Sequence, residues 1–319
     1  MNLSQLYYFR RLAELQHYTK AAKELFITQP ALSDAIRSLE KELGVPLFRR
    51  EGRNVRLTRE GAEFSEYVHN ALRELDKGIA VMHERTGGLS GDVRIGGVYP
   101  VCGDYLPALI RAYRQSFGDE VSLTVGQGFS LGLIDDLKAD RYDVVFAAYK
   151  PGEKDLAFEP VLTHQLVVGV RRDSPLARRG VVSLEDLRGY EVYTYRAGIQ
   201  VGDEVAQVLA PHGIDPHQEF DDEITLCGMV STSDRPDVCG VFTYTIGVMP
   251  FSDLALLPID ESEVPTDFHV VYMVYKKDEF KSRVLESFLD FAAGFRPPED
   301  AVPRLATPEE PEVPARREI

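Results

Sequence analysis

The chain has 319 residues, with 36 lysines and arginines against 51 aspartates and glutamates, a formal net charge of −15. This length exceeds what a single small module needs and allows two or three hydrophobic cores. No apolar run reaches membrane-spanning length and the sequence opens on a helical pattern without a secretory signal, so we expect a cytoplasmic protein with no membrane contact. Three scattered cysteines do not suit a disulfide scaffold or a zinc cluster, and we expect no cofactor and no metal.

The most informative stretch runs from Thr19 to Gly61 and begins with a short helix. Thr19 is a favourable N-cap residue, and the residues after it place small and apolar side chains on one face at helical spacing: Ala21, Ala22, Leu25 and Phe26. The two alanines would let another helix approach closely. The sequence therefore predicts a tightly packed pair of helices.

The second helix of the pair is predicted to begin at about Gln29. Thr28 can cap it, and Pro30 is tolerated in a first turn where no intrahelical donor is needed. Gly44 suits the left-handed residue that ends a helix. The apolar residues of this helix recur at steps of four, three and four and should form a buried stripe: Leu32, Ile36, Leu39 and Leu43. The residues left exposed are candidate DNA contacts: Thr28, Gln29, Pro30, Ser33, Asp34 and Arg37.

A short β-hairpin should follow, because polar and apolar residues alternate on both sides of a turn at 51–54. It carries four further candidate DNA contacts, which suit phosphates or a narrow minor groove: Arg49, Arg50, Arg53 and Arg56. Taken singly, arginines near a turn are more often a solvated surface. The order of helix, turn, helix and basic hairpin, however, predicts a winged helix-turn-helix that binds double-stranded DNA.

The charge distribution agrees with this interpretation. Residues 1–86 hold 14 basic and 12 acidic side chains, which leaves 22 basic and 39 acidic side chains for the rest of the chain. The acidic remainder should repel a duplex at long range. DNA contact must therefore come from a local basic surface, and non-specific binding should be weak.

A long helix is predicted from Thr58 to Thr86, since this stretch is nearly free of helix breakers. Its apolar residues fall close to a 3.5-residue period, with Ile79 beside the stripe and Gly78 as a possible bend: Phe64, Val68, Ala71, Leu75 and Met82. Such a helix could lie on its own domain, but its length fits a dimerisation helix better. The glycine-rich residues 87–91 then predict a flexible joint.

Beyond the joint, predicted strands and helices alternate in two rounds, which is typical of parallel sheets wrapped by helices. The first round comprises strand 93–98, helix 104–116, strand 120–125, helix 130–138 and strand 143–149. The second comprises strand 164–170, a short helix 183–188, strand 191–195, helices near 201–210 and 224–232, and strand 237–242. Strand 269–276 and helix 278–294 should return to the first lobe, which leaves a cleft between two connected lobes.

Ligands of such folds bind beyond the carboxyl ends of the strands. The candidate effector-binding residues at these ends are Tyr99, Pro100, Val101, Cys102, Gln127, Gly128, Phe129, Ser130, Tyr149, Tyr195, Gly198, Thr243 and Tyr244. The aromatic members suit stacking on a flat ligand, so the sequence favours an aromatic or polyphenolic effector. The alternative is that about half of these rings pack beneath the sheets. After Arg296, six prolines and many charges predict a disordered tail.

The first 61 residues resemble the DNA-binding domain of the LysR-type transcriptional regulators. The resemblance rests on an ordered series of residues: Ala21, Ala22, Leu25, Gln29, Pro30, Ser33, Ile36, Leu39, Glu40, Leu43, Gly44, Leu47, Phe48, Arg50, Leu57, Thr58 and Gly61. It implies that the helix at 29–43 enters the major groove. His17 departs from the pattern, since the family often has serine there.

The resemblance extends more loosely over residues 92–294 and implies a two-lobed domain similar to periplasmic binding proteins. It implies an α/β fold class with a winged helix-turn-helix (1–58), a dimerisation helix and hinge (59–88), an effector domain (89–296) and the tail (297–319). Lobe I would span 92–163 and 268–296, and lobe II 164–267. Many members hold a carboxylate with small hydroxyl residues where this chain has Val98, Tyr99 and Pro100, so a carboxylate effector is less favoured. The expected partners are promoter DNA, a small molecule, RNA polymerase and further copies in a homodimer or homotetramer.

Three alternatives remain open. Residues 128–132 match the G-x-S-x-G motif of serine hydrolases, with Ser130 as nucleophile, although so short a pattern arises often by chance and we expect no enzyme. Cys227 and Cys239 suggest a thiol redox switch, but their apolar surroundings favour inert buried thiols. A protein that only sequesters a small molecule, with a vestigial DNA module, is disfavoured by the completeness of residues 19–61.

Overall fold

The structure is a computed structural model that describes residues 1–51, 54–84, 89, 91–103, 105–298 and 302–305. The chain divides into two compact units, Met1–Gly88 and Leu89–Ile319. No helix within the described ranges combines the length and the apolar composition needed to cross a bilayer.

The first unit packs helices against a small hairpin. Its elements are α1 (Leu3–Leu15), α2 (Tyr18–Glu24), α3 (Gln29–Leu43), the antiparallel strands β1 (Phe48–Glu51) and β2 (Asn54–Leu57), and α4 (Arg59–Glu84). One apolar core unites them, with Phe9 of α1, Ala21 and Ala22 of α2, and Ile36 of α3 among its members. The predicted winged helix-turn-helix is confirmed.

The start of α2 differs from the prediction. His17, and not Thr19, is the N-cap residue, and its Nδ1 accepts a hydrogen bond from the backbone N–H of Lys20 at 3.3 Å. The imidazole nitrogen thus provides the acceptor that a serine or threonine usually provides. Thr19 lies inside the first turn.

Helix α3 follows its predicted pattern closely. Thr28 caps it through a 3.3 Å hydrogen bond from the backbone N–H of Ala31, and Gly44 ends it in the left-handed region with φ of +75°. Leu32, Ile36 and Leu39 are buried, as the stripe predicts. The fourth member of the stripe, Leu43, is 36% exposed, because it lies in the last turn beyond the core.

The predicted long helix is α4, which runs through Gly78 without a break. Its apolar stripe is buried in one part of the helix and exposed in another. Val68 and Leu72 are buried in the core of the first unit, whereas further along the helix the apolar side chains are exposed: Leu75, Ile79 and Met82. Residues 85–88 and 90, which include most of the predicted joint, lie outside the described residues.

The second unit contains two lobes, each built on a five-stranded sheet. In chain order its elements are β3 (Gly91–Gly97), α5 (Tyr99–Gly103), α6 (Tyr105–Phe117), β4 (Val121–Gln127), α7 (Ser130–Lys138), β5 (Val144–Ala147), β6 (Leu156–His164), β7 (Leu166–Arg171), β8 (Glu191–Tyr195), α8 (Gln200–Leu209), β9 (His217–Phe220), α9 (Glu223–Thr232), β10 (Val238–Thr243), β11 (Leu254–Pro258), β12 (His269–Lys276) and α10 (Arg283–Gly294). The strand order is β4-β3-β5-β12-β6 in lobe I and β11-β7-β10-β8-β9 in lobe II.

Both sheets are mixed, which corrects the prediction of parallel sheets. In lobe I, β3 is parallel to β4 and β5, whereas β12 is antiparallel to β5 and β6. In lobe II, β8 is parallel to β9 and β10, whereas β7 is antiparallel to β10 and β11. The antiparallel strands are those next to the two crossings between lobes, where the chain enters a sheet from the opposite end.

The chain passes from lobe I to lobe II between β6 and β7 and returns between β11 and β12. The return of β12 to the first sheet was predicted. At the crossings, His164 and His269 are partners in the β6–β12 ladder. Two connections therefore join the lobes, and the parallel strands end at the cleft between them.

Part of the segment predicted as a disordered tail has a defined place beside the first crossing. Arg304 Nη2 donates to Thr163 Oγ1 at 2.6 Å, and the backbone N–H of Leu305 donates to Gln165 Oε1 at 2.9 Å. Val302 packs against the core of lobe I, and Leu305 packs against an apolar cluster of lobe II. Residues 299–301 and 306–319 lie outside the described residues.

Candidate nucleic-acid interface and effector cavity

The amino-terminal half of α3 presents polar side chains to solvent. Gln29, Asp34 and Arg37 are exposed, and the Arg37 guanidinium donates to Asp34 Oδ1 at 3.2 Å and to Ser33 Oγ at 3.4 Å. Thr28 and Pro30 are exposed beside them. These solvent-exposed contacts lay the Arg37 side chain along the helix surface.

Three of these residues, Gln29, Ser33 and Arg37, lie on one wall of a concave surface of about 480 Å³ in the first unit. Among the predicted DNA contacts, this surface brings together Gln29, Ser33 and Arg37 of α3 with Arg49 and Arg50 of β1. Residues that the prediction did not include also line it, among them His17, Tyr18, Thr19 and Asn54. The first three surround the start of α2, where the backbone N–H of Lys20 is bonded to His17 Nδ1.

Four other described residues among the predicted DNA contacts do not line this surface: Thr28, Pro30, Asp34 and Arg56. Arg56 is exposed on β2, directly opposite Arg49, and pairs with Glu51. Two arginines opposed across a ladder repel each other, and Glu51 reduces that repulsion. Arg53 lies outside the described residues.

The second candidate site is a cavity of about 460 Å³ between the two lobes of the second unit. It lies at the carboxyl ends of β3, β4, β8 and β10. The residues that line it are Val98, Tyr99, Pro100, Gln127, Gly128, Phe129, Ser130, Leu131, Ala148, His164, Tyr195, Arg196, Gly198, Ile199, Gln200, Val201, Asp221, Asp222, Glu223, Thr243, His269 and Val271.

Nine of the thirteen predicted effector-binding residues line this cavity: Tyr99, Pro100, Gln127, Gly128, Phe129, Ser130, Tyr195, Gly198 and Thr243. The other four lie away from its lining. Val101 is fully buried and Cys102 packs beside it in lobe I, because the helical turn of α5 directs both inward. Tyr244 is buried in lobe II, and the ring of Tyr149 packs against Phe158 at 4.9 Å.

A buried polar cluster forms the lobe II wall. The Tyr195 hydroxyl lies 2.8 Å from Thr243 Oγ1 and 3.4 Å from Glu223 Oε2, and the Thr245 hydroxyl donates to Glu223 Oε1 at 2.9 Å. Burial raises the pKa of the Glu223 carboxyl above its ordinary value, although hydrogen bonds from its own backbone and from Thr245 oppose that rise. Burial likewise raises the pKa of Tyr195, and the Glu223 charge adds to it. A carboxyl group therefore lies in a largely desolvated wall.

The crossings between lobes contribute residues that the sequence prediction missed. His164 and His269 both line the cavity, and His269 Nδ1 lies 2.7 Å from Glu204 Oε2 of α8. Since His269 belongs to the lobe I sheet, this hydrogen bond links the two lobes. A histidine beside each predicted crossing was the signal that could have identified them.

The cavity rim is bridged by a cation–π contact. The Arg196 guanidinium of lobe II lies 5.5 Å from the ring centroid of Phe129 of lobe I and also pairs with Asp221. Phe129 remains about half exposed. These contacts connect the lobes at the rim, where a ligand would enter.

Neither alternative reading of the second unit gains support from the geometry. The Ser130 hydroxyl accepts a hydrogen bond from the backbone N–H of Ala148 at 3.1 Å, which ties the start of α7 to the end of β5. Cys227 and Cys239 are free and buried. Burial raises the pKa of both thiols, that of Cys239 to about 12, which disfavours the thiolate that a redox switch needs.

Comparison with known families decides the identity. A family model described as a bacterial regulatory helix-turn-helix protein of the lysR family matches residues 3–62, and one described as the LysR substrate binding domain matches residues 86–296. The chain belongs to the LysR family. It is a DNA-binding transcription regulator with an effector-binding domain, and the predicted fold class is confirmed.

Relatives of this LysR-type regulator extend the comparison over most of its length. The uncharacterised HTH-type transcriptional regulator YybE of Bacillus subtilis is 30% identical over 298 residues, which cover 91% of this chain and 98% of YybE. The solved structure of full-length CbnR with its target DNA has a TM-score of 0.68 at 21% identity and covers 92% of this chain and 99% of that one. The solved effector-binding domain of QuiR with shikimate has a TM-score of 0.58 at 22% identity, and the match covers 64% of this chain and 96% of that one. Because both identities are below 25%, these two structures support the fold and nothing further.

Proposed function

We propose that this regulator binds imperfect dyads in promoter DNA as a homodimer or homotetramer and responds to a small molecule in the cavity between its lobes. Effector binding then alters contact with RNA polymerase in the cytoplasm. The observation that carries the DNA-binding part is the concave surface that joins Gln29 and Arg37 of α3 to Arg49 and Arg50 of β1.

Each wall of that surface suits a different part of a duplex. Gln29, Ser33 and Arg37 lie on the helix that would enter the major groove, where glutamine and arginine pair with base edges. Arg49 and Arg50 are exposed on β1 and suit the flanking phosphates. Base contacts specify the sequence, whereas phosphate contacts fix the orientation.

The association of copies is supported by α4. Leu75, Ile79 and Met82 recur along the carboxyl-terminal half of the helix and are between 39% and 53% exposed. An apolar stripe of this spacing on a 26-residue helix suits pairing with the same helix of another copy.

The effector part of the proposal rests on the cavity and its two exposed rings, Tyr99 and Phe129. These rings can stack on a flat or aromatic ligand. The ligand changes DNA binding only if its affinity differs between two arrangements of the protein. The lobe-bridging contacts of His269 and Arg196 are groups that such a change would affect.

Fluorescence anisotropy on the DNA upstream of the protein's own gene, compared with scrambled DNA, tests the proposal. The variants are Gln29→Ala with Arg37→Ala, and Lys41→Ala as the control. Lys41 is exposed on the last turn of the same helix but outside the concave surface. We expect the double variant to lose about 1–3 kcal/mol per lost base contact and with it the preference for the upstream DNA.

The control should bind nearly as wild type. Equal binding of both DNAs by the wild type, or full specificity in the double variant, would contradict the proposed interface. A salt series on the same probes separates phosphate contacts from base contacts, because each lost phosphate contact lowers the salt slope by about one.

A further inference from the structure

The cavity contains a carboxyl group for which the protein provides mainly hydroxyl partners. Glu223 is the first residue of α9, is 2% exposed and lines the cavity. Its oxygens accept from the Thr245 hydroxyl at 2.9 Å and from the Tyr195 hydroxyl at 3.4 Å. A carboxylate has about four acceptor sites, so it can accept a further donor from a ligand. Buried carboxylates are rarely stable without a positive partner.

The charged residues around Glu223 make this part of the cavity negative. Asp221 and Asp222 precede it in the lining, and Arg196 is the one guanidinium among the described lining residues. Arg196 is already paired with Asp221 and lies over Phe129. The described lining thus contains three carboxyl groups, one guanidinium that has its own partner, and the imidazoles of His164 and His269.

Carboxylates of the protein lie beside two of the helix starts at the cavity. At α8, Asp203 Oδ1 accepts from the backbone N–H of Gly198 at 3.1 Å. At α9, Asp222 Oδ1 accepts from the backbone N–H of Thr225 at 2.7 Å. Asp203 and Asp222 thus place carboxylates beside the positive ends of these two helices, and Asp222 also caps α9, whereas the N-cap residue of α8, Ile199, has no side-chain cap hydrogen bond. The start of α7 has no side-chain cap and can hold a neutral oxygen of a ligand.

Much of the remaining wall is apolar. Its members come from both lobes: Val98, Pro100, Leu131, Ile199, Val201 and Val271. A cavity of about 460 Å³ lined in this way suits a small, largely apolar molecule with few polar groups.

We infer that the effector is a largely apolar molecule with a protonated amine, and that the amine binds the carboxylate of Glu223. This inference rests on the proposed effector site and names the chemistry of its ligand. A bound ammonium gives the buried carboxylate a full positive charge to pair with, in addition to the nearby His164, which already lowers the pKa of Glu223. An effector whose head group is a carboxylate would place two negative groups in the same desolvated wall.

Binding of head-group series to the full-length protein tests the inference. One series is 2-phenylethylamine, 2-phenylethanol and 3-phenylpropionate, and a second is hexylamine, hexanol and hexanoate, so that the body stays constant while the charge changes. Isothermal titration and thermal shift are measured for wild type, Glu223→Gln and the control Glu219→Gln. Glu219 is exposed on β9 and outside the cavity lining.

We expect the amines to bind more tightly than the alcohols, and the carboxylates to bind least. Glu223→Gln should weaken amine binding about tenfold or more, because a charge-assisted hydrogen bond becomes a neutral one. Glu219→Gln should bind as wild type. If Glu223→Gln does not fold, Glu223→Asp replaces it, and it should keep the preference for amines at reduced affinity because the shorter side chain retracts the charge.

Three results would overturn the inference: tighter binding of the carboxylates, amine binding unaffected by the change at Glu223, or no binding of any probe. DNA anisotropy on the same protein distinguishes these from failure of the proposed function. Intact sequence-specific DNA binding with no amine preference refutes the ligand class alone. Amine binding through Glu223 without sequence-specific DNA binding refutes the proposed promoter function alone.

Discussion

Gly61 shows how a single residue fixes the junction between the hairpin and α4. A Cβ at this position would overlap the backbone carbonyl oxygen of Leu47, and that backbone is held in place. Glu40 Oε1 accepts from the N–H groups of Leu47 and Phe48 at 2.8 and 3.1 Å, and the Thr58 hydroxyl donates to the carbonyl of Pro46 at 2.7 Å. The strand and the helix can approach this closely only at a glycine.

We therefore predict that Gly61→Ala lowers the free energy of unfolding by about 1–3 kcal/mol, the cost of overpacking a rigid site. Gly78→Ala is the matched control, because Gly78 lies in the same helix with no atom within 4 Å of an added Cβ. This change should raise stability by about 0.5–1 kcal/mol through helix propensity. Urea unfolding followed by circular dichroism measures both, and equal effects of the two changes would argue against the close contact.

The buried carboxyl of Glu223 leads to a prediction for how the stability of the protein depends on pH. Its pKa in the folded protein is raised by burial above the ordinary value of 4.5, so the native state binds this proton more tightly than the unfolded state does. Relative to a neutral glutamine, wild-type stability therefore falls as pH rises above about 4.5, and it stops falling above the raised pKa. Thermal unfolding of wild type and Glu223→Gln should coincide near pH 4 and diverge towards pH 7, with the variant more stable. A difference that is constant with pH would contradict this.

At the scale of elements, the sequence predicted the helices and strands whose residue pattern depends only on neighbours along the chain. The bounds of α7, β8 and β12 coincide with the predicted segments 130–138, 191–195 and 269–276. The strands β6, β9 and β11 were not predicted. In β6 the alternation is interrupted by Pro160, and β9 is a polar edge strand of four residues, so each is defined by its sheet neighbours.

The sequence likewise identified only those parts of the effector cavity that local residue patterns define. Strand ends identified most of the lining from the sequence, because the rule that ligands bind at carboxyl ends depends only on strand direction. Asp221, Asp222 and Glu223 were missed, since they meet the cavity only when β8, β9 and α9 pack side by side. The direction of α5, which buries Val101, also depends on packing that no local pattern encodes.

The exposed part of the apolar stripe on α4 allows a test of whether copies of the chain associate through this helix. Ile79 is 45% exposed in the apolar stretch that the first unit leaves uncovered. Ile79→Glu places a charge there and should shift the protein to a smaller assembly in analytical ultracentrifugation, because a buried unpaired charge is costly. Glu63→Gln, an exposed change earlier on the same helix, is the control and should leave the assembly unchanged. An unaltered mass for Ile79→Glu would place the interface elsewhere.

At the scale of the whole molecule, the charge of the DNA-binding part differs in sign from that of the effector-binding part. Residues 1–86 have a small basic excess, and the strongly acidic remainder gives the chain its net charge of −15. We therefore expect non-specific attraction to DNA to be weak, so that specificity would depend on the few contacts of the proposed concave surface. Association of two copies would double those contacts on a dyad.

The most direct test of the account is selection of binding sites from a random DNA pool by the full-length protein, with Gln29→Ala plus Arg37→Ala in parallel. The account predicts enrichment of an imperfect dyad whose half-sites lie a whole number of helical turns apart, roughly 10–10.5 base pairs per turn, and no such motif for the variant. Enrichment of no motif by the wild type, or of the same dyad by the variant, would contradict sequence recognition through α3.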